Sequence, residues 1–336
     1  MGVNKSKGAV DVGEKKLYVN LLGEFSVWYG DKKVYMGRTS TGRQAQLFQL
    51  LMISPGFQIS KEKLMADIYK SGEFNNRNNS VNNAIYRLRK MLTDAGVPGD
   101  EYIAIENGNC VWKEDIPVQV DTVEFKRLLE ESRDAEDDDK LHILQEAWLL
   151  YRGPLLASNS IEEWAIPENL HYKELYRDCT NQIADILKEK ERTTIEDLQT
   201  QEKSCIEKYG RYAQQAKDPE LKNLFQTLQQ KEREHYDSLD CVLRGEVPQC
   251  NCNDSDGRDY QPKATYTAMS SPEDKQQDSF LATDCIATEK LVSGEYNSEV
   301  FAFGDSGVRK LLADIQVEEQ NHAEMLYKYK MANNMA

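Results

Sequence analysis

An internal duplication, offset by 87 residues, leaves the C-terminal part of this 336-residue chain few folds to choose from. Glu202 pairs with Glu289, Tyr209 with Tyr296, Asp218 with Asp305, Leu224 with Leu311, Leu228 with Ile315, Glu232 with Glu319 and His235 with His322. The segment reads as a duplicated helical hairpin. Each copy carries one lone glutamate and one Glu-x-x-His, with 30 residues between the lone glutamate and the paired one. The midpoints fall at residue 217, beside Asp218-Pro219, and at Gly304, beside Asp305, and both are natural turns. Two antiparallel helices that turn there bring the lone glutamate and the Glu-x-x-His to the same height, about 22 Å along the bundle at 1.5 Å per residue.

That geometry selects a chemistry. Four helices each send one carboxylate inward, two of them with a histidine at i+3, which is the ligand set of di-iron and di-manganese carboxylate bundles. The i, i+3 spacing places Glu and His on one helix face, and hard carboxylates with borderline imidazoles suit Fe or Mn. The candidate ligands are Glu202, Glu232, His235, Glu289, Glu319 and His322, with Glu232 and Glu319 bridging, Glu202 and Glu289 terminal, and one histidine on each metal. The alternative is a buried polar network without metal, which would need protons or partners because unpaired buried carboxylates are costly. Tyr209 and Tyr296 lie about two turns from the lone glutamates, where core packing accounts for them.

The N-terminal third is a different kind of sequence. Leu17, Val19, Leu21, Phe25, Val27, Val34 and Met36 alternate with polar residues around Gly23 and Gly30-Asp31, predicting a small antiparallel meander. Ala45, Phe48, Leu51 and Met52 then mark a helix that stops at Ser54-Pro55-Gly56, and Ser60 caps a second helix carrying Leu64, Met65 and Ile68. Val81, Ile85, Leu88 and Leu92 form the buried stripe of a third helix. Its other face offers Arg77, Asn79, Asn82, Asn83, Tyr86, Arg87 and Lys90. Asparagine reads adenine edges and arginine reads guanine or holds phosphate, so these residues are the candidate contacts to double-stranded DNA. The alternative is a solvated polar face without function. Residues 102–113, turning at Asn107-Gly108, predict a hairpin, and the order meander, three helices, hairpin is a winged helix.

Two family resemblances rest on these residues. NNSVNNAIYRLRKML (78–92), GNCVW (108–112) and Val120-Asp121 with Phe125 resemble the winged-helix domain of bacterial transcriptional activators related to the antibiotic regulatory protein family. QEAWLLYRGPLL (145–156), followed by Glu163-Trp164-Ala165, resembles the helical activator domain that follows it there. The resemblance implies DNA binding through the third helix with the wing beside it, and it stops short near Arg192, so the helical domain is truncated. YGRYAQQAKDPELKNLFQTL (209–228), DCIATEKLVSGEYNSEVF (from Asp284) and VEEQNHAEML (from Val317) resemble the ferritin-like spore coat protein F family. That resemblance implies a four-helix bundle associated with endospore coats, and its kinship with rubrerythrins and manganese catalases makes oxidant chemistry conceivable.

The expected fold is therefore mostly α with small β elements. It comprises a winged helix over 14–118, a short helical domain over 119–192 and a ferritin-like bundle over 193–336. Thr193 and Glu196 have capping-box spacing for a new helix at that boundary. Residues 246–283 read as the long crossover between hairpins, and Arg133–Lys140 as an acidic loop. Charge follows the same division. The formal net charge is -15, yet residues 1–110 carry 15 Lys/Arg against 11 Asp/Glu, and the excess of acid lies beyond them. An acidic chain can still present one basic module to a polyanion.

No apolar run reaches the roughly 18 residues of a membrane span, and seven scattered cysteines argue for reduced thiols, so a cytoplasmic chain with no membrane partner is expected. Cys241, Cys250 and Cys252 are close enough in sequence for a soft metal or redox role. Two functional classes follow. One is a DNA-binding transcriptional regulator carrying a ferritin-like bundle. The other is a spore-coat structural protein, self-associating or bound to coat proteins, or a di-metal oxidoreductase with an appended winged helix.

Overall fold

A computed structural model describes residues 16–69, 77–99, 101–113, 117–249 and 255–335. Its contacts divide into two compact units, Met1–Ile186 and Leu187–Ala336.

In the first unit, β1 (Leu17–Asn20), β2 (Ser26–Tyr29) and β3 (Lys32–Val34) form the expected meander. Strand β7 (Val118–Val120) completes the sheet by pairing parallel to β1, giving the order β3-β2-β1-β7. Alternation drives it: Leu17, Val19, Val27 and Val34 are buried while Tyr18 and Lys33 are not. Helices α1 (Arg43–Ile53), α2 (Lys61–Ile68) and α3 (Arg77–Asp94) follow. The Ser60 hydroxyl accepts from the Lys63 backbone N–H as the N-cap of α2. Strand β4 (Gln58–Ser60) pairs with β6 (Asn109–Trp112), which pairs with β5 (Ile103–Glu106). The β5-β6 turn takes positive φ at both Asn107 (50°) and Gly108 (82°), as a tight type I′ hairpin requires.

Helices α4 (Asp121–Glu131) and α5 (Asp137–Leu150) share one continuous core with the winged helix, running from Leu17 through Phe48, Leu88, Phe125 and Leu144 to Cys179. Asp121 ties the two parts together. Its carboxylate accepts from the Leu21 N–H at 2.8 and 2.9 Å and from the Leu22 N–H at 2.9 Å. The Arg152-Gly153-Pro154-Leu155-Leu156 turn docks on the same edge, with Gly23 N–H on the Pro154 carbonyl (3.0 Å) and Leu156 N–H on the Leu21 carbonyl (2.7 Å). A Cβ on Gly23 would sit 3.3 Å from Arg152 Cβ, and its φ of 103° also favours glycine. Residues 137–139, expected in a loop, form the first turn of α5, where their carboxylates meet the positive end of the helix dipole.

Helix α6 (Ile166–Gln215) is 50 residues long, and the division between the units falls within it. The helix start expected at Thr193 is absent. The Thr193 hydroxyl bonds back to the Glu189 carbonyl and Glu196 pairs with Arg192, so both polar side chains are satisfied in mid-helix.

The second unit continues with α7 (Pro219–Leu243), α8 (Asp256–Asp259), α9 (Pro272–Glu299) and α10 (Ser306–Ala332). The two hairpins turn where the repeat places its midpoints, and Asp218 and Asp305 cap α7 and α10 by accepting backbone N–H bonds. Asp278 on α9 accepts from the Lys217 and Asp218 N–H groups, and Glu191 on α6 accepts from the Gly304 N–H, so each hairpin turn is pinned by an acid from the other copy. The crossover is shorter than expected, because Pro272 opens α9 behind the Ser271 cap and residues 272–283 are helical. Cys250 and Cys252 lie outside the described residues. No described helix is long and apolar enough to cross a membrane.

Candidate functional site

The duplicated ligands converge. Glu202 on α6, Glu232 and His235 on α7, Glu289 on α9, and Glu319 and His322 on α10 are each at most 3% exposed. They form two overlapping quartets, Glu202-Glu232-His235-Glu319 and Glu232-Glu289-Glu319-His322, in each of which one ligand atom per residue lies within 4.8 Å of the others.

The distances resolve which oxygen faces which half. His235 Nδ1 is 3.0 Å from Glu319 Oε1, 3.6 Å from Glu202 Oε2 and 3.8 Å from Glu232 Oε2. His322 Nδ1 is 2.9 Å from Glu232 Oε1, 3.5 Å from Glu289 Oε2 and 3.9 Å from Glu319 Oε2. Glu232 and Glu319 thus give one oxygen to each half, whereas Glu202 and Glu289 serve one half each. The imidazoles lie nearly parallel, 5.7 Å between centroids.

Close approach here is not hydrogen bonding. Glu202 Oε2, both oxygens of Glu232, His235 Nδ1, Glu289 Oε2, both oxygens of Glu319 and His322 Nδ1 are buried with no hydrogen-bond partner. An orphaned buried polar atom costs about 1–3 kcal/mol, and eight together rival the ~5–15 kcal/mol net stability of a domain. Protons or cations have to satisfy them. The donor set of two imidazole nitrogens and four carboxylates fits a pair of hard or borderline divalent ions.

The electrostatics of the metal-free cluster follow from its burial. Burial, reinforced by the Glu232 charge, pushes Glu202 up to about 8 and Glu319 well above the ordinary carboxylate range. Burial also works to raise Glu232, but the two histidines beside it outweigh that and hold it well below. Against the opposing effect of burial, the surrounding carboxylates raise His235 well above its usual value and His322 to about 9. The cluster therefore holds protons near neutral pH at positions a cation would take.

Three residues around the ligands carry roles that spacing did not reveal. The Tyr296 hydroxyl donates to Glu202 Oε1 and the Tyr209 hydroxyl to Glu289 Oε1, so each tyrosine orients the lone glutamate of the other copy rather than only packing. Glu318 accepts from His235 Nε2 at 2.6 Å, which leaves Nδ1 to face the centre. The tyrosines are visible in the repeat, but their partners lie across the bundle. Glu318 has lysine as its counterpart, so it fell outside the matched positions.

The second candidate surface is α3. Val81, Ala84, Ile85, Leu88 and Leu92 are buried, and Asn79, Asn82, Asn83, Tyr86, Arg87 and Lys90 line the exposed face, with Tyr86 68% exposed. The side chain of Arg77 lies outside the described residues. Arg89 points the other way: its guanidinium donates to the Ile103 carbonyl (Nε at 2.9 Å), clamping α3 to the hairpin. Lys113 pairs with Glu106 at 2.6 Å across the two strands of the hairpin.

Two known families match parts of this chain. Residues 38–109 match the family described as transcriptional regulatory protein, C terminal, and residues 277–336 match the Coat F domain. No curated protein matches the chain. Among solved structures, Mycobacterium tuberculosis EmbR in complex with low affinity phosphopeptide aligns over 95% of this chain and 69% of that chain, at 13% identity and a TM-score of 0.45.

Proposed function

We propose that this protein is a cytoplasmic DNA-binding transcriptional regulator whose C-terminal bundle holds a pair of manganese or iron ions. The observation that carries the first part is the division of α3, whose apolar stripe is buried in a winged helix while its Asn, Tyr, Arg and Lys residues are solvent-facing. The match of residues 38–109 to transcriptional regulatory proteins supports the same reading, because such domains bind duplex DNA. In this reading Arg87 and Lys90 meet phosphate or guanine, and Asn82 and Asn83 meet base edges.

The metal part is supported by the eight orphaned ligand atoms. A pair of such ions supplies redox or Lewis-acid chemistry when bound. The chain's own residues hold, orient and seal the site: Tyr209 and Tyr296 fix the terminal glutamates, Glu318 fixes His235, and Phe225, Leu228, Leu312 and Ile315 pack the bundle interior. The same observation favours a second reading, in which the bundle is a coat-type or oxidoreductase module and the winged helix is secondary.

Fluorescence anisotropy with a mixed-sequence duplex of about 30 base pairs separates the two. At about 50 mM salt the full chain should bind, affinity should fall steeply as salt rises, and Arg87→Ala should weaken binding and reduce the log–log salt slope by about 1. Absence of binding by the wild-type chain at that salt overturns the regulator reading.

A further inference from the structure

The repeat is symmetric in its ligands and asymmetric behind them. Lys231 and Glu318 stand 87 residues apart, at equivalent positions of the two copies, one residue before Glu232 and Glu319. The bundle brings these two residues together: Lys231 Nζ is 3.5 Å from Glu318 Oε1 and 3.6 Å from Asp256 Oδ2. Glu318 Oε2 meanwhile accepts from His235 Nε2 at 2.6 Å. One histidine is therefore backed by a carboxylate. For the other, His322, the equivalent position holds a lysine, which can only donate, and among the described residues no carboxylate is hydrogen-bonded to the Nε2 of its ring.

That difference bears directly on ligation. A histidine that donates Nε2–H to a carboxylate has its tautomer and ring orientation fixed, so its Nδ1 lone pair is directed at a metal, and such partners are worth about 10–100-fold in metal affinity. His235 has this support. Among the described residues His322 has no such partner, so its ring and proton position settle as the ion arrives. The other ligands do not compensate, because Glu232 and Glu319 are shared by both halves and Glu202 and Glu289 each have a tyrosine donor.

We propose that the two halves of the centre fill in order, the Glu202-His235 half before the Glu289-His322 half, because Glu318 supports only His235. This rests on the reading of the bundle as a metal site. The order makes the pair inequivalent: one position retains its ion at low supply, and the other responds to availability over a range about 10–100-fold higher.

The chain has four histidines, so selective 15N-histidine labelling of the full-length protein gives few signals. Titration with Zn2+, a redox-inert probe, should move the His235 ring signals to their bound positions before those of His322. Zinc taken up by cysteines does not disturb that order, which is read from the histidines alone. Parallel movement of both rings, or His322 moving first, overturns the ordering while leaving the metal reading standing. Failure of either ring to move at excess zinc overturns the metal reading itself. The cause is isolated by exchanging the pair, Lys231→Glu with Glu318→Lys, which keeps the net charge and should reverse the order. An unchanged order in that folded variant assigns the asymmetry elsewhere and overturns the proposal. Glu318→Gln retains an acceptor without charge and should weaken the first step by about tenfold, the lower end of that range.

Discussion

Replacing Glu319 with glutamine separates its two contributions, to the fold and to the ions. Glu319 is fully buried, neither oxygen has a hydrogen-bond partner, and burial beside Glu232 favours its neutral form in the metal-free chain. An amide of the same size and charge state should therefore leave metal-free stability within about 1 kcal/mol. The ions are another matter, because Glu319 gives an oxygen to each half, 3.0 Å from one histidine and 3.9 Å from the other. At a free Mn2+ concentration about 100-fold above Kd, binding of one ion stabilises the wild-type fold by about 2.7 kcal/mol, and a second ion adds to it. The unit that holds the site runs from Leu187 to Ala336, a size at which 1 kcal/mol moves Tm by roughly 2–4 °C, so the expected rise from one ion is about 5–11 °C. Calorimetric melting of the full-length protein with chelator and with Mn2+ measures it. Wild type should show the rise and Glu319→Gln less than about 2 °C. An equal rise in both would remove Glu319 from the ligand set, and a wild-type transition indifferent to Mn2+ and Fe2+ would refute the reasoning.

Two further outcomes follow from the same contacts. Glu202, at about 8, and His322, at about 9, hold protons at pH 7 in the metal-free cluster, and each must lose its proton to a cation. Affinity for Mn2+ should therefore rise with pH between 6 and 8, by about tenfold per unit for each proton released, and binding enthalpies should depend on the ionisation enthalpy of the buffer; buffer-independent enthalpies would contradict it. In the first unit, Asp121→Ala leaves the Leu21 and Leu22 N–H groups without their acceptor, which should cost about 2–5 kcal/mol in chemical denaturation, with Asp121→Asn milder because one acceptor oxygen remains; a loss below about 0.5 kcal/mol for alanine would show that water replaces the carboxylate.

The readability of this chain depended on whether a residue's partner lay within its own repeat. Glu202, Glu232 and His235 could be assembled from spacing alone, since a helical hairpin with a turn at residue 217 places them at one level whatever packs against them. The stripe Val81-Ile85-Leu88-Leu92 fixed the buried face of α3 for the same reason, and its complement followed. Contacts across the bundle were not legible. Tyr209 and Tyr296 look like core residues until the opposite copy supplies the glutamate each one orients. Glu318 reads as one more acid on an acidic helix until His235 is seen against it. Thr193-Glu196 misled because threonine satisfies its hydroxyl equally well on a carbonyl four residues earlier, so the capping pattern fits the middle of α6 as readily as a helix start. Asp137–Asp139 misled likewise, being equally at home in a loop and in the first turn of α5.

Metal content of the purified full-length chain tests the central claim most directly. Protein from cells grown with manganese and iron, desalted into metal-free buffer, should contain about two ions per chain by elemental analysis, and Glu232→Ala/Glu319→Ala should contain almost none. Fewer than roughly a few tenths of an ion per wild-type chain, or a content unchanged in the double variant, would leave the six converging ligands a protonated polar network and contradict the account.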